Sequence, residues 1–139
     1  MKPLLSVVIP CLHAEAALER TLASWREADW AELIVQDATP GAASVQIPGF
    51  RRFAEADAGI YDAMNRGLQR AEGHWVLFAG AGDVLIDGER LMRALERGEA
   101  PMQMFGTALE PPREPGVPKA YTARWDAGLR WRHVVHHQG

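Results

Sequence analysis

Asp83 closes a run of small residues, Ala79-Gly80-Ala81-Gly82, that follows the apolar stretch Trp75-Val-Leu-Phe78. Small residues let a backbone come close to a ligand, and a carboxylate at the carboxyl end of a strand faces the crevice in which open α/β sheets bind ligands. A divalent cation or a hydroxyl would meet such a group; capping its own turn is the alternative. Asp37 stands in an equivalent place after Glu32-Leu-Ile-Val-Gln36, where it either accepts a hydrogen bond from a ligand N–H or shapes an Asx turn ahead of Pro40. Asp57, Tyr61, Asp62 and Asn65 gather around the start of a helical run. They either line a crevice or serve as cap and first-turn residues, positions that suit acidic groups at the positive end of a helix. His133, His136 and His137 near the chain's end are ligand types for transition metals, yet no cysteine or paired carboxylate sits beside them, so no independent metal cluster is expected.

The elements that must position these groups follow from periodicity. Leu5–Pro10 is a β-branched run closed by proline and reads as a first parallel strand; Glu32–Gln36 reads as the second, with a helix over about 14–28 between them. On that helix Leu18, Leu22 and Trp25 form the inner face. A strand–helix–strand order implies a right-handed crossover and parallel pairing. Val45–Ile47 reads as a short third strand. In the central stretch 55–85, Ile60, Met64, Leu68 and Ala71 recur at spacings of four and three, which predicts a helix with that stripe as its core face. Gly73 stops it, and Trp75–Phe78 is expected as a strand buried on both faces. Glu89–Arg97 reads as a helix with Leu91 and Leu95 inward and Gly98 as its stop, and Met102–Phe105 as a further strand. Glu110–Pro118 is too proline-rich for either regular element, and Tyr121–Trp131 is a strand or an irregular cover. Trp25 and Trp75 are expected to pack in the core.

The ordered pieces together resemble a known family. Asp57-x-Gly-Ile-Tyr-Asp-Ala-Met-Asn-x-Gly67, then an apolar strand, then a small-residue loop ending in Gly82-Asp83, is similar to the inverting family 2 glycosyltransferases of the GT-A fold, in particular those of bacterial polysaccharide assembly. Ser6-Val-Val-Ile-Pro10, Glu32-Leu-Ile-Val-x-Asp37 and His137-Gln138 match the same pattern. The resemblance implies a three-layer α/β/α domain with a mostly parallel sheet, spanning residues 1–139. It implies transfer of a sugar from a nucleotide-diphosphate sugar to a glycan or lipid-linked acceptor, with Mg or Mn on the diphosphate. It further implies a cytoplasmic location, with peripheral association at the inner face of the membrane left open. By position Asp37 would read the nucleotide base and Asp57, Tyr61, Asp62 and Asn65 would line the nucleotide-sugar. Asp83 would hold the metal, His137 would assist at the phosphates, and no residue is assigned as catalytic base.

Three departures accompany the match. Ala38-Thr-Pro-Gly-Ala-Ala43 replaces the family's polar turn, and Gly80, Ala81 and Gly82 stand where a second acidic residue is common. The chain ends just after the His-Gln pair, so the acceptor side of the cleft and the usual base are expected to be missing or minimal. The competing expectation is therefore a non-catalytic module that binds a nucleotide or a partner chain.

Composition narrows the classes. A length of 139 residues fits one domain with a real core. A net charge of -3 and pI near 5.9 offer no basic footprint, so nucleic acid is not expected as a partner. The single Cys11 allows no internal disulfide and fits a reducing compartment. Lys2 and the apolar run 4–9 outline a signal peptide only weakly, since Pro10 interrupts it, and no apolar run reaches the roughly 20 residues of a membrane span. Pro10-Cys-Leu-His-Ala-Glu15 contains no glycine, which excludes the dinucleotide fingerprint, and a P-loop is absent.

Overall fold

The computed structural model describes residues 1–98 and two short strands beyond them, Thr107–Ala108 and Ala120–Tyr121. The unit Met1–Gly98 is built on a five-stranded sheet. Its strands are β1 (Leu5–Cys11), β2 (Ala31–Asp37), β3 (Val45–Ile47), β4 (Phe50–Ala54) and β5 (Trp75–Phe78), in the spatial order β3-β4-β2-β1-β5. β4, β2, β1 and β5 run parallel, and β3 pairs antiparallel to β4. Helices α1 (Glu15–Ser24), α2 (Ile60–Arg70) and α3 (Gly88–Arg97) connect and flank them. The two short strands beyond, β6 (Thr107–Ala108) and β7 (Ala120–Tyr121), form an antiparallel pair of their own.

The mostly parallel α/β architecture is the one expected. β1 sits in the middle of its neighbours, and Val7, Val8 and Ile9 have no exposed surface, which is why its apolar residues run on without alternation. Leu18 of α1 and Trp25 just past its end are buried, and Trp25 meets Trp30 at 6.0 Å between ring centres. Leu95 of α3 joins the same core, with Leu91 partly buried beside it.

Two expectations are corrected. The stripe Ile60, Met64, Leu68, Ala71 is not the core face of α2: Ile60 is 53% and Leu68 46% exposed, while Ala63 and Gly67 are the buried pair. The reason is closeness of approach. A Cβ on Gly67 would lie 2.3 Å from Val8 Cγ1, so α2 rests on β1 and β2 through its smallest residues. Arg66 and Arg70 on one flank reach Glu55 just after β4 and fix the helix's rotation, and the apolar stripe is turned to the other flank. Nor is β5 buried on both faces. Trp75 and Leu77 join the core, but Val76 and Phe78 are 37% and 42% exposed, because β5 is the last strand of the described sheet and α2 lies over β1 and β2 instead. β4 was not anticipated as a strand. The expectations for Met102–Phe105, Glu110–Pro118 and the stretch 122–131 lie outside the described residues.

A polar clasp secures the end of the sheet opposite the strand carboxyl ends. Buried Ser6 Oγ donates to Glu32 Oε1 at 2.6 Å and accepts from Gly73 N at 2.8 Å. Glu72 N also donates to Glu32 Oε1, and Arg51 binds Glu32 Oε2 at 2.7 Å and the carbonyl of Arg70. Burial pushes the Glu32 carboxyl up, but the hydrogen bonds from Ser6, the Glu72 N–H and Arg51 together outweigh it and hold the group below its ordinary value. The clasp joins β1, β2, β4 and the α2–β5 turn. It thereby fixes where the strand ends emerge.

Candidate functional site

The parallel strands bring their carboxyl ends to one edge of the sheet, where the loops following β1, β2, β4 and β5 meet. Asp37 closes β2, in register with Cys11 of β1 on one side and Ala54 of β4 on the other. It has no exposed surface. Oδ1 accepts from Thr39 N at 2.9 Å, and Oδ2 accepts from the guanidinium of Arg52, whose Nε lies at 3.0 Å. Burial raises the Asp37 carboxyl, and the Thr39 and Arg52 hydrogen bonds together pull it further down, so it stays below the usual carboxylate range. Arg52 also grips Glu15 at the start of α1 through both terminal nitrogens, at 3.1 and 2.7 Å. Glu15 and Asp37 in turn hold the guanidinium firmly protonated.

This network ties the two loops together. Thr39 Oγ1 accepts from His13 N at 2.8 Å and Ala38 N donates to Cys11 O at 3.0 Å. His13 takes φ 51, in the left-handed region that histidine enters more readily than most residues. Burial, and then the Asp37 charge, push the Cys11 thiol up and keep it inert.

Asp57 and Asp62 shape the entry to α2. Asp57 Oδ1 accepts from Gly59 N, and Asp62 Oδ2 accepts from Ala58 N, both at 2.9 Å; Asp62 also pairs with Arg66 at 3.0 Å. The Ala58 N–H first, then Arg66, hold the Asp62 carboxyl below its usual value. Gly59 sits at φ 115, a conformation open to glycine. Tyr61 is 57% exposed and Asn65 is exposed on the same helix.

Asp83, in the loop after β5, shares with Asp37 a backbone N–H bonded within its own turn but differs in burial and, among the described residues, in having no guanidinium bonded to it. It is exposed, and its Oδ2 accepts from Gly80 N at 2.7 Å while its own N–H donates to Gly80 O at 3.1 Å. A Cβ on Gly80 would lie 3.3 Å from Oδ2, a close contact that the carboxylate would have to yield to by a few tenths of an ångström. The loop is anchored from outside by α1: Gly82 N donates to Thr21 Oγ1 at 2.8 Å and Leu85 N to Ser24 Oγ at 2.9 Å.

Residues 6–119 match the family model described as "Glycosyl transferase family 2". The chain belongs to that family. It is also 34% identical over 102 residues to proteins named "PGL/p-HBAD biosynthesis glycosyltransferase" from Mycobacterium bovis (strain BCG / Pasteur 1173P2) and Mycobacterium tuberculosis (strain ATCC 25177 / H37Ra), an alignment covering 66% of this chain and 40% of each relative. The chain thus spans less than half the length of the curated relatives it matches.

Within this glycosyltransferase framework, Asp37, Asp57, Asp62 and Asp83 all lie at the carboxyl edge, on the loops after β2, β4 and β5 and the start of α2. They do not converge: among the described residues no group of three His, Cys, Asp or Glu side chains could hold a metal ion. Of the four, Asp83 is the exposed one, the condition under which a Mg or Mn ion carried on phosphate oxygens and water would reach a single carboxylate. His137 lies outside the described residues. Sequence reasoning missed Arg52, Glu15, Thr39, Thr21 and Ser24. Arg51 and Arg52 are adjacent in β4 and so point to opposite faces, one to Glu32 and the other to Asp37 and Glu15, a division visible only once β4 is known to be a strand. Among the described residues no helix is long and apolar enough to cross a membrane.

Proposed function

We propose that this chain forms the donor-binding part of an inverting sugar transferase that takes a nucleotide-diphosphate sugar and passes the sugar to a glycan or lipid-linked acceptor, as in polysaccharide assembly. The observation that carries the reading is the exposed Asp83 carboxylate, held by its own turn at the carboxyl end of β5 within the family match. Mg or Mn bound there would neutralise charge on the departing diphosphate. Asp83 would hold that ion, and Gly80 and Gly82 leave the backbone free of side chains beside it. The nucleoside would lie over the ends of β1 and β2. Asp37, expected by position to read the base, is buried with both oxygens engaged, so in place of that contact it would act through what it holds, keeping Arg52 and the Thr39 turn in place. Asp57, Tyr61, Asp62 and Asn65 line the α2 side toward the sugar, and His137 assists at the phosphates. No side chain is assigned as the base that deprotonates the acceptor hydroxyl. The lone buried Cys11 fits a cytoplasmic setting, with peripheral association at the inner membrane face where the acceptor is lipid-linked.

Calorimetric titration with uridine and guanosine diphosphates, with and without Mn, tests this on the wild type and on Asp83→Ala. Metal-dependent binding that disappears in the variant is the expected result. Absence of binding by either nucleotide would favour the non-catalytic, partner-binding alternative.

A further inference from the structure

In the loop 79–85 Gly80, Asp83 and Val84 are exposed, yet its backbone is thoroughly tied. Ala79 N donates to Val8 O, Gly80 N to Asp83 Oδ2, Asp83 N to Gly80 O, Gly82 N to Thr21 Oγ1 and Leu85 N to Ser24 Oγ. Two of these five bonds cross 61 residues of sequence to hydroxyls one turn apart on α1. Both acceptors are side-chain hydroxyls in the last turn of α1. Thr21 has no exposed surface and its hydroxyl is used in both senses, donating to Ala17 O at 3.3 Å while accepting from Gly82. Ser24 repeats the arrangement one turn on, donating to Thr21 O at 2.7 Å. The bond at Gly82 falls on the residue directly before Asp83, at φ 110, where only glycine turns easily.

We infer that Thr21, supported by Ser24, is a positioning residue for Asp83. Its hydroxyl fixes the orientation of the Ala81–Gly82 peptide, the unit directly ahead of the Asp83 turn, and so the direction in which the carboxylate meets a cation. The inference rests on the proposed role of Asp83 as the metal-holding group. Thr21 itself is buried beneath the loop and touches no ligand. Partners that orient a metal ligand typically carry about 10- to 100-fold in metal affinity, and a loop already bonded in place needs no ordering when the ion arrives.

The test is calorimetric titration of the full chain with Mn and uridine diphosphate. It covers wild type, Thr21→Val, Thr21→Ser, Ser24→Ala, Asp83→Ala and the double variant Thr21→Val/Asp83→Ala, each with its thermal midpoint recorded. Valine keeps the shape and removes the acceptor; serine keeps the hydroxyl. Thr21→Val should weaken Mn-dependent binding about tenfold and leave Mn-independent binding unchanged, with Thr21→Ser recovering most of the loss. On the Asp83→Ala background the valine should cost nothing further, since the two act as one unit. A purely structural staple would instead weaken binding with and without Mn, and equally on both backgrounds, which would overturn the inference. Wild-type binding that depends on Mn but is unchanged in Thr21→Val would overturn it while leaving the role of Asp83 intact. A wild type with no Mn-dependent binding would remove that role and the inference with it. Should Thr21→Val not fold, Ser24→Ala decides, with a Mn-specific loss of about threefold expected and no Mn-specific loss overturning the inference.

Discussion

Asp37 and Asp83 are the same residue type at the same kind of place, the carboxyl end of a parallel strand in one sheet. Asp37 is sealed in: no exposed surface, both oxygens engaged, one by a backbone N–H and the other by a guanidinium. Asp83 is open, holding its turn with one oxygen and otherwise facing solvent. Position at a strand end therefore selects carboxylates without assigning them a task. Burial and partners make that assignment. The sealed one spends its charge on the protein, and the open one keeps its charge for something that arrives.

Removing the sealed group tests the contrast most strongly. Asp37→Ala strips Arg52 of one of its two carboxylates and leaves the Thr39 N–H unpaired, so the fold should lose about 3 kcal/mol in chemical denaturation. Loss below about 0.5 kcal/mol would mean that Glu15 alone satisfies Arg52, and that Asp37 is less committed to the fold than its burial suggests.

Helix α2 repeats the contrast between closed and open surfaces, and it marks where the sequence stops being legible. The parallel sheet, the positions of α1, α2 and α3, and the strand-end aspartates were all readable, because each is written in local periodicity and punctuation. The inner face of α2 was not, since a hydrophobic stripe says which residues are apolar while close approach is decided by the partner, here Val8. Arg52 escaped for a related reason: an ion pair between residues 37 and 52, or 15 and 52, leaves no periodic trace. The hydroxyls of Thr21 and Ser24 read as ordinary helix residues until a loop 61 positions away folds over them. Gly67→Ala checks the close approach. With Val8 Cγ1 only 2.3 Å from the added Cβ, overpacking should cost about 2 kcal/mol, whereas Leu68→Ala on the open flank should cost under about 1 kcal/mol.

Acid should act on the fold through the closed carboxylates. The Glu32 and Asp37 carboxyls are both held below their ordinary values in the folded chain, so the unfolded chain binds more protons than the native one near the ordinary carboxylate pKa of about 4. Their contribution is complete above that value and is lost as pH falls through it toward the lower folded values. Unfolding free energy should therefore drop from roughly pH 5 to 3. Glu32→Gln should flatten that dependence, and an unchanged slope would place the acid-sensitive groups elsewhere.

The smallest effect on stability belongs to Asp83, and its smallness is the point. Asp83→Ala gives up one exposed hydrogen bond to Gly80 N, for which water can substitute, so the unfolding free energy should change by no more than about 0.5 kcal/mol. The same substitution should abolish metal-dependent nucleotide binding, while Asp37→Asn, which keeps the shape of the buried side chain, should leave the metal dependence in place. If Asp83→Ala instead destabilised the chain by 2 kcal/mol or more, the carboxylate would be a turn cap in the same sense that Asp37 is a clasp. The open and closed aspartates would then differ only in depth. A fold that tolerates the loss while the ion dependence vanishes would mean that Asp83 is held in readiness by Gly80 and α1, at little cost to the chain.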